Sequence, residues 1–390
     1  MNSKNELPQD HSRPGRSGRS RVVLILLIFS LGYVVCLTSS AAFENLYLRH
    51  IFSSLAPSAD GSPCVAGLAD HFLSPTGITM HNMTDEELLW RASMAQKIKC
   101  APRRRVPKVA FLFLTRGDLP LRPLWEKFLA GHEGLYSVYV HTADPAYAGS
   151  PPRESAFYGR MIPSQIHTYA THQNASWGEP DLVDAERRLL ANALLDVSNE
   201  RFALLSEACI PIFDFPTVYA HLTGSRFSFV DSADDHLNRA RYNPVYAGHN
   251  VSRSVWRKGN QWFEMDRALT LEVVGDEVLL PVLSGHFEAR YGGVVDEHYI
   301  PTLVSVLGWS ARIANRSLTY LEWHLGTSHP WTHGPEKVTE EMFGKMRGGA
   351  GKNCSYNGGV SSICFLFARK FSGDALGKLL ELAPKVMGFG

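Results

Sequence analysis

Net charge is almost absent from this sequence. Its 390 residues carry 39 basic and 38 acidic side chains, a formal charge of +1. So even a balance leaves little to hold a polyanion and argues against nucleic acid as the main partner. Charged residues of either sign are sparse, at 20%, while aromatic residues reach 11%. That mixture suits a globular domain with ring-rich clefts, although core packing accounts for most rings. No internal repeat is visible. Also missing is an Asp-x-Asp pair, a common device for holding a divalent ion against a diphosphate. The nearest acidic cluster, Asp231-Ser232-Ala233-Asp234-Asp235, has a different spacing, so no metal is expected.

What the sequence does have is one long apolar run. Residues 22–43 (VVLILLIFSLGYVVCLTSSAAF) contain no charge, and about 20 such residues cross a bilayer core as a helix. Lys4, Arg13, Arg16, Arg19 and Arg21 precede the run, against only Glu6 and Asp10. Positive charge stays cytosolic. The expected topology is therefore a cytosolic tail over 1–21, a signal anchor over 22–43 and everything later in the lumen. The rival reading is a cleaved signal peptide ending in the small residues Ser39-Ser40-Ala41-Ala42, although such apolar stretches usually run to only about 15 residues.

Lumenal placement has separate support in Asn-x-Ser/Thr sequons at Asn82, Asn174, Asn250, Asn315 and Asn353, each a glycan acceptor in the secretory pathway. Cys36 lies inside the apolar run. Cys64, Cys100, Cys209, Cys354 and Cys364 remain for an oxidising compartment, an odd number. Cys354 and Cys364 flank a turn signal, Asn357-Gly358-Gly359, so a hairpin brings them within reach of a disulfide. Cys64 with Cys100 is the next pairing, which leaves Cys209 free.

Organisation changes near residue 106. Residues 44–105 read as a stem containing one helix, announced by the capping box Thr84-Asp85-Glu86-Glu87. Residues 106–390 read as the catalytic domain. There, apolar strands at 109–115, 136–141, 200–207 and 226–232 alternate with helices at 123–131 and 180–196. Pro180 stands at the first turn of the longer helix, and Leu182, Ala185, Leu189 and Ala193 form one face. Such alternation predicts an α/β fold with a mostly parallel central sheet. Ligands of such sheets gather at the carboxyl ends of strands.

The segments KVAFLFLTRGDLPLRPLWEKFL, WGEPDLVDAERRLLANALLDVSNERFALLSEACIP, RKGNQWFEMDR, VVDEHYIPT and CFLFARKF occur in that order. Together they resemble the plant, brittle-culm-type branch of the core-2/I-branching β-1,6-N-acetylglucosaminyltransferases, over about residues 80–390. The resemblance implies a GT-A-like nucleotide-sugar-binding domain in the Golgi. The implied reaction is inverting transfer of a sugar, N-acetylglucosamine in the named family, from a UDP-sugar to a glycan or glycoprotein acceptor, without a metal ion or other cofactor. A homodimer is an open expectation.

Inverting transfer needs a carboxylate to take the acceptor's proton and positive charge to stabilise the departing diphosphate. The resemblance implies Glu297 as the base, with Asp296 capping or supporting the helix that begins near Tyr299. The segment FARKF resembles the family stretch that carries a diphosphate-binding lysine, which points to Lys370 first and Arg369 second. Many relatives carry a basic residue where this chain has Asn357-Gly358-Gly359, a departure that puts some activity in question. At the strand ends, Thr115 and Arg116 are expected to approach the diphosphate or ribose, and Asp144 the uracil or ribose. Trp177 is expected to line the donor pocket. Trp256, Lys258, Gln261 and Trp262 supply rings and donors for an acceptor sugar, with Glu207 as a further carboxylate on that side. Two other classes remain: a catalytically silent glycan-binding homologue, and a glycoside hydrolase using Glu207 and Glu297 as its acid pair.

Overall fold

A computed structural model describes residues 81–94, 106–143, 151–162, 180–286, 294–327, 329–348 and 353–390. The apolar run 22–43, Cys64, Cys100, Asp144, Asn174 and Trp177 lie outside these residues. No helix among the described residues is long and apolar enough to cross a membrane.

The elements follow in the order α1 (Asp85–Met94), β1 (Lys108–Thr115), α2 (Arg122–Leu129), β2 (Tyr136–Thr142), α3 (Pro180–Leu195), β3 (Asn199–Ser206), β4 (Ile210–Pro211), α4 (Phe215–Thr223) and α5 (His236–Ala240). Then come β5 (Glu264–Asp266), α6 (Arg267–Val274), α7 (Leu279–Gly285), α8 (Val295–Val306), β6 (Thr319–Leu321), α9 (Glu340–Arg347), β7 (Cys354–Tyr356), β8 (Gly359–Ser361), β9 (Phe367–Arg369) and α10 (Leu376–Leu382). The central sheet has the order β2-β1-β3-β5. β1 runs parallel to both β2 and β3, and β5 closes the edge antiparallel to β3. A smaller sheet has the order β4-β9-β6.

β1 is a continuous apolar run because both of its faces are covered. Side chains alternate across a strand, and the core divides accordingly. Phe111 and Phe113 meet Trp125, Phe128, Phe215 and Phe367 on one side, while Leu112 and Leu114 meet Leu189, Leu204 and Tyr299 on the other.

α3 departs from the single apolar face expected of it, since it is buried almost all round. Its charges are accommodated by specific partners rather than by solvent. Arg187 donates to the carbonyls of Val273 (3.1 Å), Val274 (2.9 Å) and Asp276 (2.7 Å). Arg188 pairs with Asp85, and Glu186 accepts from Gln261 Nε2 at 2.8 Å. Thr84 caps α1 by accepting from the Glu87 amide at 3.1 Å. Leu88 and Ala92 of α1 belong to the core, so this helix is built into the domain and the folded unit extends upstream of residue 106.

The strand expected over 226–232 is reduced to isolated bridges, Ser228 with Ile313 and Phe229 with Glu264. Arg226 is drawn instead to the β7–β8 turn, its amide donating to Asn357 Oδ1 at 2.7 Å. That hairpin is closed by a disulfide between Cys354 and Cys364, with Cα atoms 5.3 Å apart, and Cys209 is a buried free thiol.

Candidate active site

A cleft of about 570 Å³ opens where β1, β2 and β3 end. Thr115 ends β1 and Arg116 follows it, His141 and Ala143 flank the last residue of β2, and Ser206 ends β3 with Glu207 just after it. Arg369 and Lys370 reach the same cleft from the end of β9, and Glu297 from the first turn of α8. Segments far apart in the chain are thus gathered at the carboxyl edge of the sheet, as parallel α/β topology requires.

The segment 258–261 is set by backbone. Ala233 and Lys258 exchange backbone hydrogen bonds at 2.7 and 3.2 Å, and the Gly259 amide donates to the Glu297 carbonyl at 2.8 Å. A Cβ on Gly259 would stand 1.8 Å from the Asp231 carbonyl oxygen, so only glycine allows the close approach. Lys258 Nζ then lies 2.5 Å from Glu297 Oε2, both side chains being about one-fifth exposed (24% and 19%).

Asp296 does not cap α8, in contrast to the sequence expectation. The cap position is Val294, without a side-chain hydrogen bond, and Asp296 sits inside the first turn at 2% exposure. Neither of its carboxyl oxygens has a hydrogen-bond partner of normal geometry. Burial first, and the charge of Glu297 second, push its pKa up to about 7. Glu186, buried beyond it and raised mainly by burial, also feels the charge of Asp296.

Cations cluster at the other candidate locus. Arg116 places Nε and Nη2 each 3.0 Å from Glu207 Oε1. The Arg369 guanidinium lies 4.1 Å from the centre of the Trp262 ring, and its Nε is buried without a hydrogen-bond partner. Burial lowers the Lys370 pKa, as do Arg369 and Arg116, with Glu207 opposing. Such crowding of like charge is relieved by an anion. Lys370 is also paired through its backbone to the loop that follows β6, donating to the Trp331 carbonyl (3.3 Å) and accepting from the His333 amide (2.8 Å).

His141 is held neutral, its pKa lowered to about 4 by burial and then by Arg188. Arg188 Nη1 lies 3.2 Å from His141 Nε2. Arginine has no acceptor, so Nε2 must accept and the imidazole proton must reside on Nδ1.

Of the residues anticipated from sequence, Glu297, Lys370, Arg369, Thr115, Arg116, Lys258, Gln261, Trp262 and Glu207 line this one cleft. Trp256 does not. It is 4% exposed, stacks on His298 at 4.4 Å and donates Nε1 to the Asn238 carbonyl, so it is a core residue. The Asn357-Gly358-Gly359 turn is not among the lining residues either. Asn82, Asn250, Asn315 and Asn353 are all exposed.

Sequence reasoning missed Asn260, Trp323, His329 and Pro330, all of which line the cleft. Trp323 is 54% exposed. The available signal was the density of rings in EWHLGTSHPW (322–331), a loop by its glycine, serine and proline.

Residues 109–347 match a family model described as Core-2/I-Branching enzyme. Glycosyltransferase BC10 of Oryza sativa subsp. japonica is similar to this chain, 32% identical over 316 residues that cover 71% of this chain and 76% of that protein.

Proposed function

The chain belongs to the Core-2/I-branching enzyme family, and on that premise we propose that it is an inverting glycosyltransferase acting on a UDP-sugar and a glycan or glycoprotein acceptor in the Golgi membrane, anchored through residues 22–43. The observation that carries this reading is the meeting in one cleft of a carboxylate, Glu297, with a separate cluster of cations, Arg116, Arg369 and Lys370.

The chemistry assigned to each follows from charge. As the acceptor hydroxyl attacks the anomeric carbon, its proton passes to Glu297. The new C–O bond forms on the face opposite the leaving diphosphate, and the bond between the anomeric carbon and the phosphate oxygen breaks. Negative charge grows on that oxygen, and Lys370 and Arg369 stabilise it without the need of a metal ion. Lys258 and Gln261 offer donors to the acceptor sugar. Trp323 offers a ring, whereas Trp262, 4% exposed and with one face taken by Arg369, only walls the cleft. N-acetylglucosamine is the sugar we favour, from the family's name.

Titration of the purified protein with UDP and a panel of UDP-sugars, followed by UDP-release assays with glycan acceptors, tests the reading. Saturable UDP binding with acceptor-dependent release supports it. No UDP binding with or without divalent metal sinks it.

A further inference from the structure

We propose that Glu207 selects the donor sugar: its free carboxylate oxygen receives a hydroxyl of a neutral sugar, and its charge turns away donors whose sugar is an anion. The inference rests on the UDP-sugar reading above.

Arg116 spends both of its hydrogen bonds on the same oxygen, Oε1, at 3.0 Å each. Oε2 is left without a hydrogen-bond partner among the described residues, although a carboxylate oxygen lining a cleft is a strong acceptor with nothing to donate. Glu207 is 18% exposed, and Oε2 is not among the polar atoms sealed from solvent, so a sugar hydroxyl can reach it and replace water there.

The charge balance points the same way. Arg116, Arg369 and Lys370 carry three positive charges, and the charge of Glu207 is felt by both Arg369 and Lys370. The cluster therefore holds a net charge of about +2, equal and opposite to the two negative charges of the diphosphate in a UDP-sugar. Once the diphosphate is seated, no positive charge of the cluster remains for a third anion. A uronate would bring one into a site that already contains Glu207, and like charges set side by side at an interface are strongly disfavoured. A hydroxyl of a neutral sugar would instead satisfy Oε2. Glu297 is engaged by a different cation, Lys258, so the two carboxylates divide the work of choosing the donor and deprotonating the acceptor.

UDP-glucose and UDP-glucuronate differ only at the sugar's sixth carbon and make a matched pair of probes. Dissociation constants of UDP, UDP-glucose and UDP-glucuronate should be measured by calorimetry on the full-length protein in detergent, wild type and Glu207→Gln. Wild type is expected to bind UDP-glucuronate at least about tenfold more weakly than UDP-glucose. Glu207→Gln should bring the two within about threefold while still binding UDP. Arg116→Ala keeps the carboxylate and should weaken UDP while the wild-type preference persists, which covers the case of a Gln variant that fails to fold. Equal affinities in wild type, an unchanged ratio in Glu207→Gln, or a preference lost in Arg116→Ala overturns the proposal. A wild-type protein that binds neither UDP-sugar nor UDP ends the donor reading itself.

Discussion

Lys258 Nζ lies 2.5 Å from Glu297 Oε2, and the main chains of the same two segments are tied by the bond from the Gly259 amide to the Glu297 carbonyl. The base candidate is therefore held from two sides, by charge at its side chain and by a hydrogen bond at its backbone.

Glu297→Gln preserves the size and the bond to Lys258 but cannot take a proton at neutral pH. Turnover is expected to fall by about 100-fold or more, the range that general bases supply. The UDP dissociation constant should stay within about threefold, since the diphosphate is assigned to other residues. Single-turnover assays with calorimetry decide this, and a variant retaining more than about a third of wild-type turnover would show Glu297 to be structural.

Lys370→Ala should act in the reverse sense. Losing a charge-assisted hydrogen bond costs about 1.5–3 kcal/mol, so UDP should bind roughly tenfold to 100-fold more weakly. The loop should remain in place because its bonds to Lys370 are made by the backbone. EDTA should leave wild-type UDP affinity unchanged. Binding abolished by chelation and restored by manganese would mean that a metal, not this cluster, carries the diphosphate.

The contributions of Asp296 and Glu264 to stability should fall as pH rises, against the buried histidines His141, His221 and His298, whose lowered pKa values of about 4 make their own contributions rise up to about pH 6.5. Asp296 and Glu264 have folded-state pKa values raised to about 7 and about 8, in both cases chiefly by burial. The unfolded chain releases those protons near pH 4, whereas the folded chain keeps them until near neutrality. Between these limits each group therefore removes up to about 1.4 kcal/mol of stability per pH unit, and the loss levels off above its folded pKa. Asp296→Asn has no proton to lose, so its melting temperature relative to wild type should rise between pH 5 and pH 8. Parallel curves for the two proteins would refute the assignment.

Two tryptophans, Trp256 and Trp323, should part company. Trp256→Ala empties a buried site and should destabilise by about 3–5 kcal/mol. Trp323→Ala removes an exposed ring at the cleft and should barely move the melting temperature, while raising the acceptor KM severalfold. Equal destabilisation by both would contradict their placement.

The contrast between those rings marks what was legible in the sequence. β1, β2, β3 and α3 were readable because apolar runs and a proline-started helix are local signals. The cleft residues on strand ends followed from topology, and Glu297 and Lys370 from the family resemblance. Trp256 was misjudged because WRKGNQW gives no local sign of which of its two buried indoles walls the cleft. That is decided by Tyr246 and His298, which stack on Trp256. The segment 226–232 has strand composition, but Arg226 is claimed by Asn357, 131 residues away. Asp296 looked like a cap because acidic residues favour helix starts. Its burial depends on how α8 packs against α3, which no nearby residue announces.

Lys370 joins two parts of the cleft by different means, its ammonium among the cations and its peptide groups in the loop that carries Trp323 and Trp331. If a nucleotide bound at the ammonium strengthens these backbone bonds, then ordering the loop must strengthen nucleotide binding by the same free energy. A nucleotide seated on the ammonium would then slow amide exchange at Lys370 and His333, and a glycan that orders the loop would slow release of the nucleotide. Coupling between donor and acceptor binding would then run through the main chain of one residue.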